Sequence, residues 1–168
     1  MKTYALDTNC FIDAVNPTSP SYSAMHDLLT AHKSGKVSLR ISLQTLHELE
    51  QRQDEALELA RTLSKLPHWP IGAWDEQVGS WEQQTGTWDD GRQDDKIQLE
   101  LKALAKSGTD IRDRGAYIDS LRSGLDGFIT SDRQLVAPGP AMRINERFST
   151  KVLTPDQALN ELCPQDPT

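Results

Sequence analysis

The hydrophobic positions of this chain follow two patterns, short apolar runs and longer segments in which apolar residues recur every three or four positions. The short runs predict strands, and the longer segments predict helices with one buried face. The predicted strands cover residues 3–6, 37–41, 127–130 and 151–153. The predicted helices begin at about Cys10, cover 22–35, run from Ser42 to just before Pro67, cover about 94–106 and 112–123, and begin again at Thr154. Strands that alternate with helices are typical of an α/β fold whose parallel sheet is covered on both faces.

Residues that start or stop helices support several of these boundaries. Gly35 is placed to end the helix over 22–35, and Ser42 is placed to cap the long helix that follows. The buried stripe of that long helix is predicted to contain Leu46, Leu49, Ala56, Leu57, Ala60 and Leu63. Thr154 and Pro155 are typical of an N-cap and a first helical position, so they predict the start of a last helix.

The segment from about 66 to 95 departs from this alternation and carries all four tryptophans of the chain. Three of them lie in a heptad-spaced repeat, with the sequences GAWDEQV from Gly72, GSWEQQT from Gly79 and GTWDDGR from Gly86. We interpret the segment as a helical arm or hairpin whose indoles cover the core or a partner chain. Stacking of the indoles on unpaired bases is the alternative, which the adjacent acidic residues disfavour because they repel a phosphate backbone.

The composition indicates one compact domain over residues 1–168. Of these residues 36% are hydrophobic and 26% are charged. No apolar run approaches the roughly 20 residues that span a bilayer, and the amino terminus lacks the apolar stretch of a signal peptide. Cys10 and Cys163 are too few to form a disulfide framework. We therefore expect a cytoplasmic protein without membrane spans.

The formal net charge is −7, from 25 acidic and 18 basic residues. Such a charge argues against a protein that coats nucleic acid by bulk electrostatics. It is compatible with a metal-dependent nuclease, because such an enzyme gathers carboxylates at one point and neutralises them with divalent cations.

Acidic residues follow two of the predicted strands at the point where each strand ends. Asp7 comes directly after the first strand, and Asp132 follows Thr130 with one residue between them. Ligands of parallel α/β sheets bind outside the carboxyl ends of the strands, so both acids are candidates for a functional site. The alternative for each is a turn aspartate or a helix cap.

Two further acidic candidates lie on predicted helices. Asp113 shares the inward-facing stripe of its helix, and a carboxylate that faces a sheet must be paired, hydrogen-bonded or bound to a metal. An interaction with the helix N-terminus, or a salt bridge with Arg112 or Arg114, is the alternative. Glu48 lies near the start of the long helix beside its apolar stripe, and Glu50 is its rival.

Four acids that converge from two strand ends and two helices would form an oxygen-lined pocket suited to Mg²⁺ or Mn²⁺. An ion in such a pocket lowers the pKa of a bound water molecule, and that ion or a second one stabilises charge on the leaving oxygen of a phosphodiester. Without metal the carboxylates repel one another, so we expect raised pKa values among them. The chemistry indicated is hydrolytic phosphoryl transfer.

Three motifs surround these acids. They are Leu6-Asp7-Thr8-Asn9, Thr45-Leu46-His47-Glu48-Leu49, and Asp113 followed at fixed offsets by Gly124-Leu125-Asp126-Gly127-Phe128-Ile129-Thr130-Ser131-Asp132. Together with the tail Lys151-Val152-Leu153-Thr154-Pro155, these motifs resemble the PIN domain of bacterial VapC toxins. The resemblance covers most of the chain except about 66–95, which resembles an insertion relative to compact members of the family.

This resemblance implies a PIN-like three-layer fold, in which a parallel five-stranded sheet is flanked by helices. It implies a metal site for Mg²⁺ or Mn²⁺ with polar supporting residues beside it. The metal-binding and catalytic positions are Asp7, Glu48, Asp113 and Asp132, and the supporting positions are Asn9 and Thr130. It also implies RNA cleavage, inhibition by a cognate antitoxin protein and a homodimer. Asp119 and Ser120 stand where the family's helix is usually alanine-rich, so Asp110 or Asp119 is an alternative to Asp113.

The leading interpretation is a metal-dependent endoribonuclease, the toxin of a type II toxin–antitoxin pair. An RNA-processing PIN nuclease would use the same pocket, and a catalytically inactive PIN-fold binding module would keep only the fold. A phosphatase of the haloacid dehalogenase type needs a second aspartate two residues after the first, and Asn9 in that position cannot donate a carboxylic proton. Arg112, Arg114 and Arg133 are candidates for contacts with phosphates.

Overall fold

The structure is a computed structural model that describes residues 1–67, 97, 99–100, 103 and 111–162. For residues 111–114 it describes the backbone alone. The tryptophan repeat and Cys163 lie outside the described residues, so the interpretation of 66–95 as a helical insertion stays a prediction.

Five parallel strands form the central sheet of the described part of the chain. They are β1 (Lys2–Leu6), β2 (Val37–Ile41), β3 (Ser64–Lys65), β4 (Gly127–Ile129) and β5 (Lys151–Leu153), in the order β3-β2-β1-β4-β5. The central strand β1 pairs with β2 at Leu6 and Ile41, and with β4 at Leu6 and Ile129. The predicted parallel sheet of five strands is confirmed, and the carboxyl ends of β1, β2 and β4 lie at one edge.

Helices lie on both sides of this sheet. They are α1 (Thr8–Val15), α2 (Tyr22–Lys33), α3 (Leu43–Glu50), α4 (Glu55–Arg61), α5 (Ile111–Arg122), α6 (Arg133–Val136), α7 (Pro138–Arg147) and α8 (Pro155–Leu162). Of the helix predicted over about 94–106, residues 97, 99–100 and 103 are described, and all of them are helical. No helix within the described ranges is long and apolar enough to cross a membrane.

Both faces of the sheet are buried because successive strand residues point to opposite faces. Tyr4 and Leu6 of β1 belong to one hydrophobic core, which also contains buried residues of α1, α2, α4 and α8. Ala5 of the same strand belongs to a second core, where Phe128 of β4 packs edge-on against Tyr117 of α5. The structure therefore has three layers, as predicted.

The prediction of one long helix from Ser42 to just before Pro67 is wrong, because the structure has two helices in this range. Ser42 caps α3, because its Oγ accepts a hydrogen bond from the backbone N–H of Thr45 at 3.1 Å. The chain then turns, and Asp54 caps a separate helix, α4. Between the two helices Gln53 has a φ of 51°, a left-handed conformation that a continuous helix does not permit. The short strand β3, which was not predicted, forms by pairing with β2 where the long helix was expected to end.

Several other boundaries agree with the sequence patterns. Gly35 has a φ of 74° and follows Ser34, the C-cap of α2, as expected of a residue that ends a helix. Thr154 and Gln157 form a reciprocal cap at the start of α8, with the Thr154 N–H donating to Gln157 Oε1 at 2.9 Å and the Gln157 N–H donating to Thr154 Oγ1 at 3.2 Å. Helices α6 and α7 were not predicted. Pro138 and Pro140 interrupt the sequence pattern, but prolines fit the first turn of α7.

Candidate active site

The carboxyl ends of β1 and β4 bring Asp7 and Thr130 into direct contact. The backbone N–H of Asp7 donates to Ile129 O at 3.0 Å, which extends the pairing of the two strands by one residue. Thr130 Oγ1 donates to Asp7 Oδ2 at 2.6 Å. Asp7 is only 2% exposed and Thr130 is fully buried. A buried carboxylate needs such a partner, because leaving it without hydrogen bonds is costly.

Asp7 also caps helix α1. Its Oδ1 accepts a hydrogen bond from the backbone N–H of Thr8 at 2.7 Å. Asp7 is therefore a helix cap, as the alternative interpretation proposed. A capping aspartate does not need to be buried, because it can cap a helix at the protein surface. It does not explain why the second carboxylate oxygen lies buried against Thr130.

Glu48 reaches the same region from α3. Its Oε2 accepts a hydrogen bond from the hydroxyl of Thr8, and its Oε1 accepts one from Gln44 Nε2 at 3.4 Å. Thr8 directly follows Asp7, so this hydrogen bond attaches Glu48 to the chain at the end of β1. The rival Glu50 is exposed and lines a different surface cavity, beside Arg61. Sequence reasoning missed Thr8, although its place next to Asp7 was a usable signal.

Asp132 is held on the other side of Thr130. The backbone N–H of Asp132 donates to Thr130 Oγ1 at 3.0 Å, so one hydroxyl contacts both Asp7 and Asp132. Asp132 Oδ1 caps α6 by accepting a hydrogen bond from the Gln134 N–H at 2.9 Å. The side chain of Asp132 is half-buried.

The surroundings of Asp7 change its acidity. The pKa of Asp7 is raised from 3.8 to about 6, and burial is the largest cause. The negative charges of Glu48 and Asp132 contribute to this rise, and the hydrogen bonds from Thr130 and Thr8 offset part of it. A raised pKa is the direction expected of a buried carboxylate that has other carboxylates near it.

The backbone distinguishes Asp113 from its alternative Asp119. Helix α5 packs against β4 and leads into it, so the helix runs antiparallel to the strand and its first turn lies at the carboxyl edge of the sheet. Asp113 is the third residue of α5, whereas Asp119 lies about 9 Å further along the helix axis, towards the opposite edge. Asp119 is buried. Asp110 lies outside the described residues.

The remaining polar candidates lie nearer the surface. Asn9 is exposed in the first turn of α1, two residues after Asp7. Arg133 is exposed at the start of α6, next to Asp132. The side chains of Arg112 and Arg114 lie outside the described part of the chain, so their predicted roles stay predictions.

The oxygen atoms around Asp7 are of the chemical type that binds a hard divalent cation. They are carboxylate and hydroxyl oxygens, the class that Mg²⁺ and Mn²⁺ prefer. Among the side chains that the structure describes, no three carboxylates, imidazoles or thiols lie close enough together to hold an ion. Asp7, Glu48 and Asp132 therefore do not form such a group by themselves, and the side chain of Asp113 is not among those described.

A three-layer α/β structure with a parallel β3-β2-β1-β4-β5 sheet and acids at the carboxyl edge of its central strand is a PIN-like fold. The chain is similar in structure to a chain of VapBC2 from Rickettsia felis, crystallised with a DNA fragment from their promoter. The match covers 90% of this chain and 98% of that chain, with a TM-score of 0.52 and 13% sequence identity. At this identity the likeness establishes the fold alone. No protein-family model and no curated protein matches the chain.

Proposed function

We propose that this chain is an endoribonuclease that depends on Mg²⁺ or Mn²⁺ and acts as the toxin of a type II toxin–antitoxin pair. One observation carries the proposal, the buried carboxylate of Asp7 with its raised pKa. A buried acid with like-charged neighbours destabilises a fold, and such groups cluster at functional sites. The carboxyl edge of a parallel sheet is also where ligands of this class of fold bind. The PIN-like fold supports a nuclease over other hydrolases.

In this proposal the metal is held by four acids, Asp7, Glu48, Asp113 and Asp132. When bound, the ion would lower the pKa of a water molecule and stabilise charge on the leaving oxygen. Thr130 is the main positioning residue, since its hydroxyl contacts Asp7 Oδ2 and the backbone of Asp132. Asn9 would support the site from its exposed rim.

The proposed partner is a cognate antitoxin protein that binds this chain and inhibits it. The support is the likeness to a chain in the structure of VapBC2, in which the proteins are bound to promoter DNA. A homodimer and a cytoplasmic location are further expectations of the same proposal.

The deciding experiment measures cleavage of RNA by the purified protein with Mn²⁺ and with EDTA. We expect cleavage with Mn²⁺ alone, and a loss on the order of 100-fold in Asp7→Asn, the scale of removing one electrostatic contact to a transition state. Asp54→Asn is a matched control, because Asp54 is also a helix N-cap, but its carboxylate accepts hydrogen bonds from Arg52 and from the Ala56 backbone N–H. This control should cleave RNA like the wild type.

Cleavage that survives EDTA, or full activity in Asp7→Asn, would show that this mechanism is wrong. Absence of cleavage by folded protein under all metal conditions would favour the binding module without catalysis. Genomic context offers a second test of the toxin role, since an adjacent reading frame for a small DNA-binding antitoxin is expected.

A further inference from the structure

A cavity of about 350 Å³ lies beside the candidate active site, near the carboxyl ends of β4 and β5. Ser131 and Arg133, the two neighbours of Asp132 in the chain, both line it. Thr154, the residue after β5, lines it as well. The volume lies in the range of small-ligand sites. A group bound in this cavity would therefore lie next to the chain segment that carries Asp132.

Part of the cavity wall is apolar. Pro20, Val136 and Pro155 contribute to its lining, and Pro155 is itself buried. Apolar walls favour the flat face of a base over a phosphate, which is more strongly hydrated.

The main polar feature of the cavity is the carboxylate of Asp13 on α1. Its Oδ1 accepts a hydrogen bond from Ser19 Oγ at 2.7 Å, and its Oδ2 accepts one from Ser131 Oγ at 2.7 Å. A carboxylate oxygen has two lone pairs, so each oxygen can accept one more hydrogen bond. The two serines thus fix the orientation of a pair of acceptors that can still bind a ligand.

The charges of the lining select among ligands. Asp13 and Asp156 provide two negative charges and Arg133 provides one positive charge, so the cavity disfavours a phosphate. It favours a neutral group that offers adjacent donors and a nearby acceptor. Guanine has this pattern, because N1–H and the N2 amino group are adjacent donors and O6 is an acceptor beside them. Adenine and cytosine offer one amino donor next to an acceptor nitrogen, and uracil offers one N–H between two carbonyls.

We propose that this cavity binds a guanine base of the RNA beside the phosphodiester that is cleaved. Asp13 accepts hydrogen bonds from N1–H and the N2 amino group, and Arg133 donates to O6. The proposal rests on the proposed nuclease function and adds a base preference to it.

The first test measures binding of GMP, AMP, CMP and UMP by calorimetry in EDTA, so that it does not depend on catalysis. All four carry the same phosphate, so differences among them report on the base. We expect GMP to bind at least about 10-fold more tightly than the others, within the range of discrimination by a bidentate contact to a base. Asp13→Asn should lose this preference, whereas Asp27→Asn, an exposed acid on α2 that lines another cavity, should keep it.

The second test uses a short RNA with one guanine, and the same RNA with inosine in its place. Inosine lacks the N2 amino group, so the wild type should cleave it about 10-fold more slowly, while Asp13→Asn should cleave both RNAs at equal rates. Should Asp13→Asn fail to fold, Arg133→Gln changes an exposed residue and is expected to weaken the preference for GMP.

Equal binding of the four nucleotides, no binding of any, or a GMP preference that persists in folded Asp13→Asn would overturn the guanine site. Selective GMP binding without metal-dependent RNA cleavage would support the guanine site and contradict the nuclease function.

Discussion

Replacing Asp7 by asparagine is expected to stabilise the metal-free protein at neutral pH. The pKa of Asp7 rises from 3.8 to about 6 in the folded protein, chiefly because of its burial. The folded state therefore binds more protons than the unfolded state between about pH 4 and pH 6, and stability falls as the pH rises through this interval. Above about pH 6 the ionised carboxylate reduces the free energy of unfolding by about 3 kcal/mol.

Asparagine cannot ionise, and its side-chain oxygen can still accept the capping hydrogen bond from the Thr8 N–H. Its amide group faces the Thr130 hydroxyl, so some of the gain is lost in rearranging that contact. We expect a net gain of about 1 to 3 kcal/mol at pH 7.5, which is about 3 to 10 °C in Tm for a protein of this size.

The assay is thermal unfolding followed by circular dichroism in EDTA at pH 4, 5.5 and 7.5. The wild type should lose stability relative to Asp7→Asn as the pH rises, and the two should differ least at pH 4. Asp54→Asn makes the same chemical change at a half-buried cap whose pKa is lowered by Arg52, so it should give no such gain. If Asp7→Asn were no more stable than the wild type at pH 7.5, burial would not destabilise the ionised carboxylate of Asp7.

Two further changes test other parts of the structure. Glu161 accepts hydrogen bonds from Lys2, Lys151 and Tyr4. Its partial burial raises the pKa, but the hydrogen bonds outweigh the effect of burial and lower the pKa to about 2. Glu161→Gln should therefore reduce the free energy of unfolding at pH 7 by about 1 to 2 kcal/mol, because solvent screens the two exposed lysines. Urea unfolding should show that this loss disappears as the pH falls from about 4.5 towards 2. Thr130→Val removes a buried hydroxyl while keeping the side-chain shape, so it should slow RNA cleavage by about 10- to 100-fold and destabilise the protein by about 1 to 3 kcal/mol; a normal cleavage rate would show that Thr130 does not position the acids.

Local patterns predicted the elements whose boundaries are set by nearby residues. Strand β2 (Val37–Ile41) has the predicted bounds because Gly35 ends the helix before it and Ser42 starts the helix after it. The break between α3 and α4 was missed because Leu49 and Ala56 are seven residues apart, close to two helical turns, so the apolar stripe keeps its phase across the gap. The visible signal was Asp54 as an N-cap.

The site was predictable as a set of positions but not as a set of contacts. The end of a strand marked Asp7 as a candidate, since the carboxyl edge of a parallel sheet follows from the element order. Its bond to Thr130 joins residues 123 positions apart, and its burial depends on that packing. Asp13 was missed for the same reason, because Ser131 reaches it only in the folded chain.

The central proposal is that Asp7, Glu48, Asp113 and Asp132 together bind a divalent cation. Calorimetric titration with Mn²⁺ tests it most directly, using the wild type, Asp7→Asn, Asp132→Asn and the control Asp54→Asn. We predict that the wild type and the control bind Mn²⁺ alike, and that the two site variants bind at least about 10-fold more weakly. Equal affinity in all four proteins, or no binding by the wild type, would contradict the account.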